Sequence, residues 1–198
     1  MDLAKTILII ASNPADTPRL ALKDEFNAIK DGLKRYNRGT QFNLVSIWET
    51  RQIEIHQSIL EHKPQIIHFI GHGAGNAGLV FEDTYGESVF VTGQALAKLF
   101  KVKAIQVHLE CVVLNACYTE VQANEISEYV NYVVGIDQSI PDRVARTFSI
   151  GLYDTLGAGH SFEDAFEIGC AVVAGLDVSS DYFHLKKNFL TRHLEQAY

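Results

Sequence analysis

The run Ile66-Ile67-His68-Phe69-Ile70-Gly71-His72-Gly73 sets five residues, four of them apolar, between Pro64-Gln65 and a Gly-His-Gly turn. Its length and its isoleucines predict a strand buried on both faces that stops at Gly71. A second run of the same kind, Val112-Val113-Leu114-Asn115-Ala116, stops at Cys117-Tyr118-Thr119. Working outward, Ile7–Ile10, Phe42–Trp48 and Tyr132–Ile136 read as three further strands. Helical spacing fills the gaps between them. Leu22, Phe26, Ile29, Leu33 and Tyr36 recur on one face, with Thr17-Pro18 expected to start that helix and Gly39 to close it.

Further helices are expected over Thr50 to about His62, Thr92–Phe100 and Glu120–Val130. Two more follow Pro141 and Ser161, the latter capped with Asp164 three positions on. The glycine-rich segment Gly71–Gly93, with strand-like pieces at Leu79–Phe81 and Val89–Val91, reads as a hairpin excursion. After Asp177 the periodicity weakens, and Tyr182–Leu194 is expected to form a peripheral helix or tail. Apolar strands alternating with helices predict an α/β fold: a mainly parallel central sheet with helices on both faces. Without repeats or linkers, residues 1–198 read as a single domain.

Composition narrows the function. Hydrophobic residues make up 47% of the chain and charged residues 21%, a globular balance. A net charge of −7 and no dense Lys/Arg run argue against nucleic acid as a partner. No apolar run is long enough to cross a bilayer, and the amino terminus lacks a signal-peptide layout, so no membrane partner is expected. Three cysteines without a pairing pattern fit a reducing compartment, and a cytoplasmic location is expected.

In open parallel sheets, functional groups collect beyond the carboxyl ends of the strands. Ser12, Asn13, Glu49, His72, Cys117 and Asp137 stand at such ends. Among them His72 and Cys117 have the types needed for covalent catalysis. If their strands pair directly, they lie roughly 5 Å apart, and the imidazole can activate the thiol and later protonate a leaving amine. The Gly73 and Cys117 amides then become candidate donors to an oxyanion. A lone cysteine after a strand also serves as a small core residue, and a lone histidine as a structural one. Cys111, Cys170 and His68 are read in that way. The histidines and cysteines lack metal-site spacing, so no metal is expected. Gly71–Gly75 lacks the Lys-Ser/Thr ending of a phosphate loop, and no Gly-x-Ser-x-Gly elbow occurs, so no cofactor is expected.

At these motifs the chain resembles bacterial CHAT domains, caspase-like cysteine peptidases of the clan that holds caspases, metacaspases and separase. The histidine half lies in His68–Gly73 followed by Gly78-Leu79-Val80-Phe81-Glu82-Asp83, and the cysteine half in Val112–Tyr118. Gly135-Ile136-Asp137, Phe148, Gly151-Leu152-Tyr153 and Leu156–Gly159 fit the downstream pattern, so that the likeness covers roughly residues 5–175. The 45 positions between His72 and Cys117 approach the caspase interval of roughly 50. The resemblance implies a caspase–haemoglobinase sandwich, peptide-bond hydrolysis of a protein or peptide substrate, a His72–Cys117 dyad and Gly73 as oxyanion donor. It also implies a regulated effector in bacterial signalling, stress or defence, with a separate sensor or activator protein as partner. A non-catalytic interaction module of the same fold is the alternative. Caspases proper carry Gln, and metacaspases Asp, where this chain has Asn115. Asn115, Asp137 and Asp142 are therefore the candidates to line the P1 pocket, with a basic P1 favoured. Asp142 reads equally well as an acid in the first turn of a helix.

Overall fold

The computed structural model describes residues 4–36 and 41–188. Six strands form one sheet in the order β2-β1-β3-β6-β7-β8. These are β1 (Lys5–Ala11), β2 (Phe42–Ile47), β3 (Ile66–Ile70), β6 (Cys111–Asn115), β7 (Tyr132–Ile136) and β8 (Phe183–Lys187). The first five run parallel and β8 closes the edge antiparallel. A separate hairpin, β4 (Leu79–Glu82) with β5 (Ser88–Val91), forms the expected excursion after β3.

Strand alternation sends side chains to two cores. On one face Ile7, Ile9, Ile66, Ile70, Val113, Val134 and Ile136 meet α1 (Leu22–Arg35), α6 (Asp142–Gly157) and α7 (Phe162–Ala174). On the other, Leu8, Ile10, Ile67, Phe69, Val112, Leu114 and Val133 meet α2 (Gln52–His62), α3 (Gly93–Phe100), α5 (Glu120–Ile126) and the hairpin. The short α4 (Lys103–Gln106) adds Ile105 to this second core. Every residue of β3 and β6 is buried. Such strands cannot tolerate solvent on either side, which is why helices must cover both faces.

Two expectations are corrected. The segment after Tyr182 is not a helix: residues 183–187 pair with β7 in the register Ile136↔Phe183 and Tyr132↔Lys187. Phe183 and Leu185 face the first core, while His184 and Lys186 point to the other side. The remainder of that expected element, from residue 189, lies outside the described residues, as does Gly39. The first helix starts at Leu22, not at Pro18, and Ala21 occupies its N-cap without a side-chain hydrogen bond. Thr17 spends its hydroxyl on the Pro14 carbonyl in a local turn, 2.8 Å away, so it caps no helix. No helix among the described residues is long and apolar enough to cross a membrane.

Candidate active site

β3 and β6 are direct neighbours, with Ile70 paired to Asn115. His72 and Cys117 each stand two residues beyond that pair. Both continue the parity of their strands toward the α1/α6 face, and both line one narrow pocket at the carboxyl end of the sheet. Leu20, Ala21, Leu22, Glu25, Asn115, Ile140, Asp142, Ala145 and Arg146 are among the residues that share its walls.

The histidine is oriented from behind. His72 Nε2 lies 2.8 Å from the Pro18 carbonyl oxygen. A carbonyl only accepts, so Nε2 carries a proton, and in the neutral ring it is Nδ1 that keeps the lone pair. Residues 17–21, which the expected helix would have consumed, instead supply this carbonyl and part of the pocket wall. The cysteine is held by a left-handed turn: Tyr118 adopts φ 57° immediately after it. Thr119, fully buried, staples that turn by donating to the Leu114 and Ala116 carbonyls and accepting from Ile136 N–H. The Ile140 amide reaches Cys117 Sγ at 3.4 Å, and Ser139 Oγ stands 3.9 Å from it. Thr119, Ser139 and Pro18 escaped the sequence reading because their roles depend on where loops return, which no local spacing records.

Gly73 packs on the backbone of Cys117. A Cβ there would stand 2.0 Å from the Cys117 carbonyl oxygen, so no other residue fits without moving the loop. Among the described residues neither the Gly73 nor the Cys117 amide donates a hydrogen bond.

Of the three residues expected at the P1 pocket, Asn115 and Asp142 line the cavity beside Cys117 and Asp137 does not. The reason is parity. Ile136 faces the α1/α6 side, so the next residue turns toward α5, where Asp137 Oδ2 sits 3.0 Å from His184 Nε2. There Glu120, Asp137 and His184 bring three ligand-type atoms within 4.8 Å of one another. Lys186 holds Glu120 at 2.8 Å, so the group stands as a surface ion-pair cluster.

Beneath the pocket lies a buried polar network that periodicity did not reveal. Glu25 Oε1 receives Ser149 Oγ at 2.7 Å, His68 Nε2 at 3.1 Å and the Asn115 amide. His68 Nδ1 meets the Tyr153 hydroxyl at 2.9 Å. Burial pushes the Tyr153 phenol well above its ordinary range, so it stays a donor. Its proton goes to His68 Nδ1, its one hydrogen-bond partner among the described residues, which leaves Nε2–H to serve Glu25. The expected core role of His68 is thus made specific.

A parallel sheet clad on both faces, with a histidine and a cysteine offered from the ends of adjacent strands, defines a caspase-like α/β protein. The chain belongs to the CHAT domain family, whose profile matches residues 11–167. Its relatives include a probable protease of Gillisia limnaea, 24% identical over 156 residues, covering 79% of this chain and 28% of the relative. A Roc-COR-CHAT protease from an unknown prokaryotic organism is 22% identical over 162 residues, 78% of this chain and 15% of the relative. The chain therefore spans less than a third of the length of these curated relatives.

Among solved structures, the Arg-specific cysteine proteinase gingipain R superposes with a TM-score of 0.64 at 11% identity, over 92% of this chain and 46% of that one. The Drosophila initiator caspase Dronc gives 0.62 at 9% identity, over 94% and 80%. The secreted cysteine protease iotapain of Bacteroides thetaiotaomicron gives 0.54 at 9%, over 85% and 62%. The fold is that of the caspase–haemoglobinase proteases.

Proposed function

We propose that this chain is the catalytic domain of a cysteine endopeptidase that uses His72 and Cys117. The observation that carries the reading is their matched placement: two residues past a register pair of adjacent parallel strands, on one wall of one pocket. The tautomer suits the task, since Nε2 is tied to Pro18 and Nδ1 remains a base. In this mechanism Nδ1 takes the Cys117 proton and the thiolate attacks the scissile carbonyl carbon. The Gly73 and Cys117 amides receive the oxyanion. The imidazolium then returns the proton to the leaving amine, and a water activated by the same nitrogen releases the acyl group from sulfur. Asn115 and Asp142 line the subsite for the P1 side chain. The names of the curated relatives support a protease, and the fold of the neighbours supports the cysteine type.

The Roc-COR-CHAT relative is named for more than its CHAT protease, and by analogy this domain answers to a regulatory unit, in its own chain or on a partner. Cys111, Cys117 and Cys170 are all free thiols, which suits a prokaryotic cytoplasm. The test is cleavage of a peptide library by the wild-type protein and by Cys117→Ala, with circular dichroism to verify folding. Loss of turnover by about a thousandfold or more in the folded variant is expected. Equal turnover would remove Cys117 from the chemistry.

A further inference from the structure

The floor of the pocket beside Cys117 has spent its donors and kept its acceptors. The Asn115 amide nitrogen is committed to Glu25, Ser149 Oγ and the Ala145 carbonyl, the last two at 3.1 and 3.2 Å. Its Oδ1 is buried and has no hydrogen-bond partner among the described residues. All three hydrogen bonds to Glu25 end on Oε1, and among the described residues none reaches Oε2. Both residues are nearly closed off, Glu25 at 6% and Asn115 at 5% exposure, yet both line the cavity.

Charge is unbalanced in the same direction. Glu25 is supported by an amide, a hydroxyl and an imidazole N–H, none of which is a fixed cation. Arg146, the one Lys or Arg among the described residues that line the cavity, lies 3.3 Å from Asp24 Oδ2, and Asp142 adds a further carboxyl to the wall. Buried acceptors left without donors are costly until a donor arrives, and a cationic donor serves a carboxyl best.

We propose that this pocket receives a cationic P1 side chain, arginine or lysine, with Glu25 Oε2 and Asn115 Oδ1 as its acceptors. The inference rests on the peptidase reading and gives it a substrate class. A guanidinium or ammonium brings only donors and supplies the absent charge. An aspartate at P1 would add a carboxylate to two unpaired acceptors, and a leucine would leave both unpaired. The signal that could have found Glu25 is an acid on the apolar face of α1, three residues after Leu22 and four before Ile29. Its place at the pocket comes from contacts with His68 in β3, Asn115 in β6 and Ser149 in α6.

The test uses tripeptidyl acyloxymethyl ketones, identical except at P1: arginine, citrulline, leucine or aspartate. Labelling of Cys117 is followed by intact mass and peptide mapping. The arginine probe should label wild type at least about 30-fold faster than citrulline, its uncharged near-isostere, and Glu25→Gln should bring the two rates together. Similar rates for arginine and citrulline in wild type, or a faster leucine or aspartate probe, would overturn the inference. So would an intact arginine preference in folded Glu25→Gln. If that variant does not fold, the arginine–citrulline comparison on wild type decides alone. Failure of the peptidase reading looks different: no probe would select Cys117 over Cys111 and Cys170, or His72→Ala would label as fast as wild type, and the inference would fall with it.

Discussion

At the scale of single residues, the three thiols separate by surroundings. Cys111 begins β6 at 2% exposure, and burial together with Glu110 pushes its thiol far up. Burial, aided by Glu167 and Asp181, pushes Cys170 to about 12. Neither forms thiolate readily near neutrality. Iodoacetamide at neutral pH should therefore modify Cys117 first, read by peptide mapping over time; earlier modification of Cys170 would contradict this assignment. The two histidines should divide as cleanly. On the proposed dyad, His72→Ala takes away the base and should slow Cys117 labelling by about a hundredfold. His68→Ala leaves the Tyr153 hydroxyl and a Glu25 bond unmade, and should cost stability by about 1–3 kcal/mol in urea unfolding, with the smaller effect on labelling. Equal rate losses in the two folded variants would mean the wrong histidine had been assigned. The strand ends that place His72, Gly73 and Cys117 were legible because Gly-His-Gly and Ala-Cys-Tyr interrupt buried runs. Asp137 was misplaced by one residue of strand parity, a quantity that needs the strand's facing as well as its end.

At the scale of elements, the central parallel strands could be read because apolar runs leave few alternatives, and the edge strand β2 because β-branched and aromatic residues recur in it around Asn43 and Ser46. β8 could not. Phe183-His184-Leu185-Lys186-Lys187 offers only two apolar residues in alternation, and lysines on an edge strand look like a solvated tail. Its anchor is Phe183, which stacks on Phe148 at 4.2 Å between centroids and 10° between planes. Phe183→Ala should cost about 3–4 kcal/mol by chemical denaturation with an unchanged m-value; a loss under about 0.5 kcal/mol would suit a surface tail instead. The strand is also tied to α7, since Lys187 Nζ reaches Glu163 at 2.9 Å. Burial pushes the Glu163 carboxyl up, but hydrogen bonds from Lys187 and Tyr132 outweigh it and hold the folded value below the ordinary one. A lowered folded value means a stabilisation present above the unfolded carboxyl range and lost as pH falls through the folded value. Glu163→Gln should thus lose under about 1 kcal/mol at neutral pH and match wild type in strong acid, compared by urea midpoints across pH.

At the scale of the whole molecule, the α1/α6 face combines a dry core with a polar network that links four elements. Glu25 comes from α1, His68 from β3, Asn115 from β6, and Ser149 and Tyr153 from α6. The hydrophobic pattern dictates that these elements stack, but it does not dictate that they stack with the carboxyl ends of β3 and β6 held under one helix. The network supplies that discrimination, because shifting any one element leaves buried donors or acceptors unmet. If it acts as a unit, members whose side chains do not bond each other should be coupled through Glu25. Ser149 and Tyr153 stand one turn apart on α6 without a side-chain hydrogen bond between them, and each reaches Glu25 by a different route: Ser149 directly, Tyr153 through His68. Tyr153→Phe strips the proton donor from a buried imidazole nitrogen and should cost about 1–3 kcal/mol. Ser149→Ala removes one of three donors to Oε1 and should cost a similar amount. In the double variant the losses should fall short of their sum by at least about 0.5 kcal/mol, since the first substitution already loosens Glu25. A double-mutant cycle by urea unfolding measures this. Additivity within about 0.3 kcal/mol would mean that the face is held by independent pairs, and the network would then place Glu25 without joining the helices to the sheet.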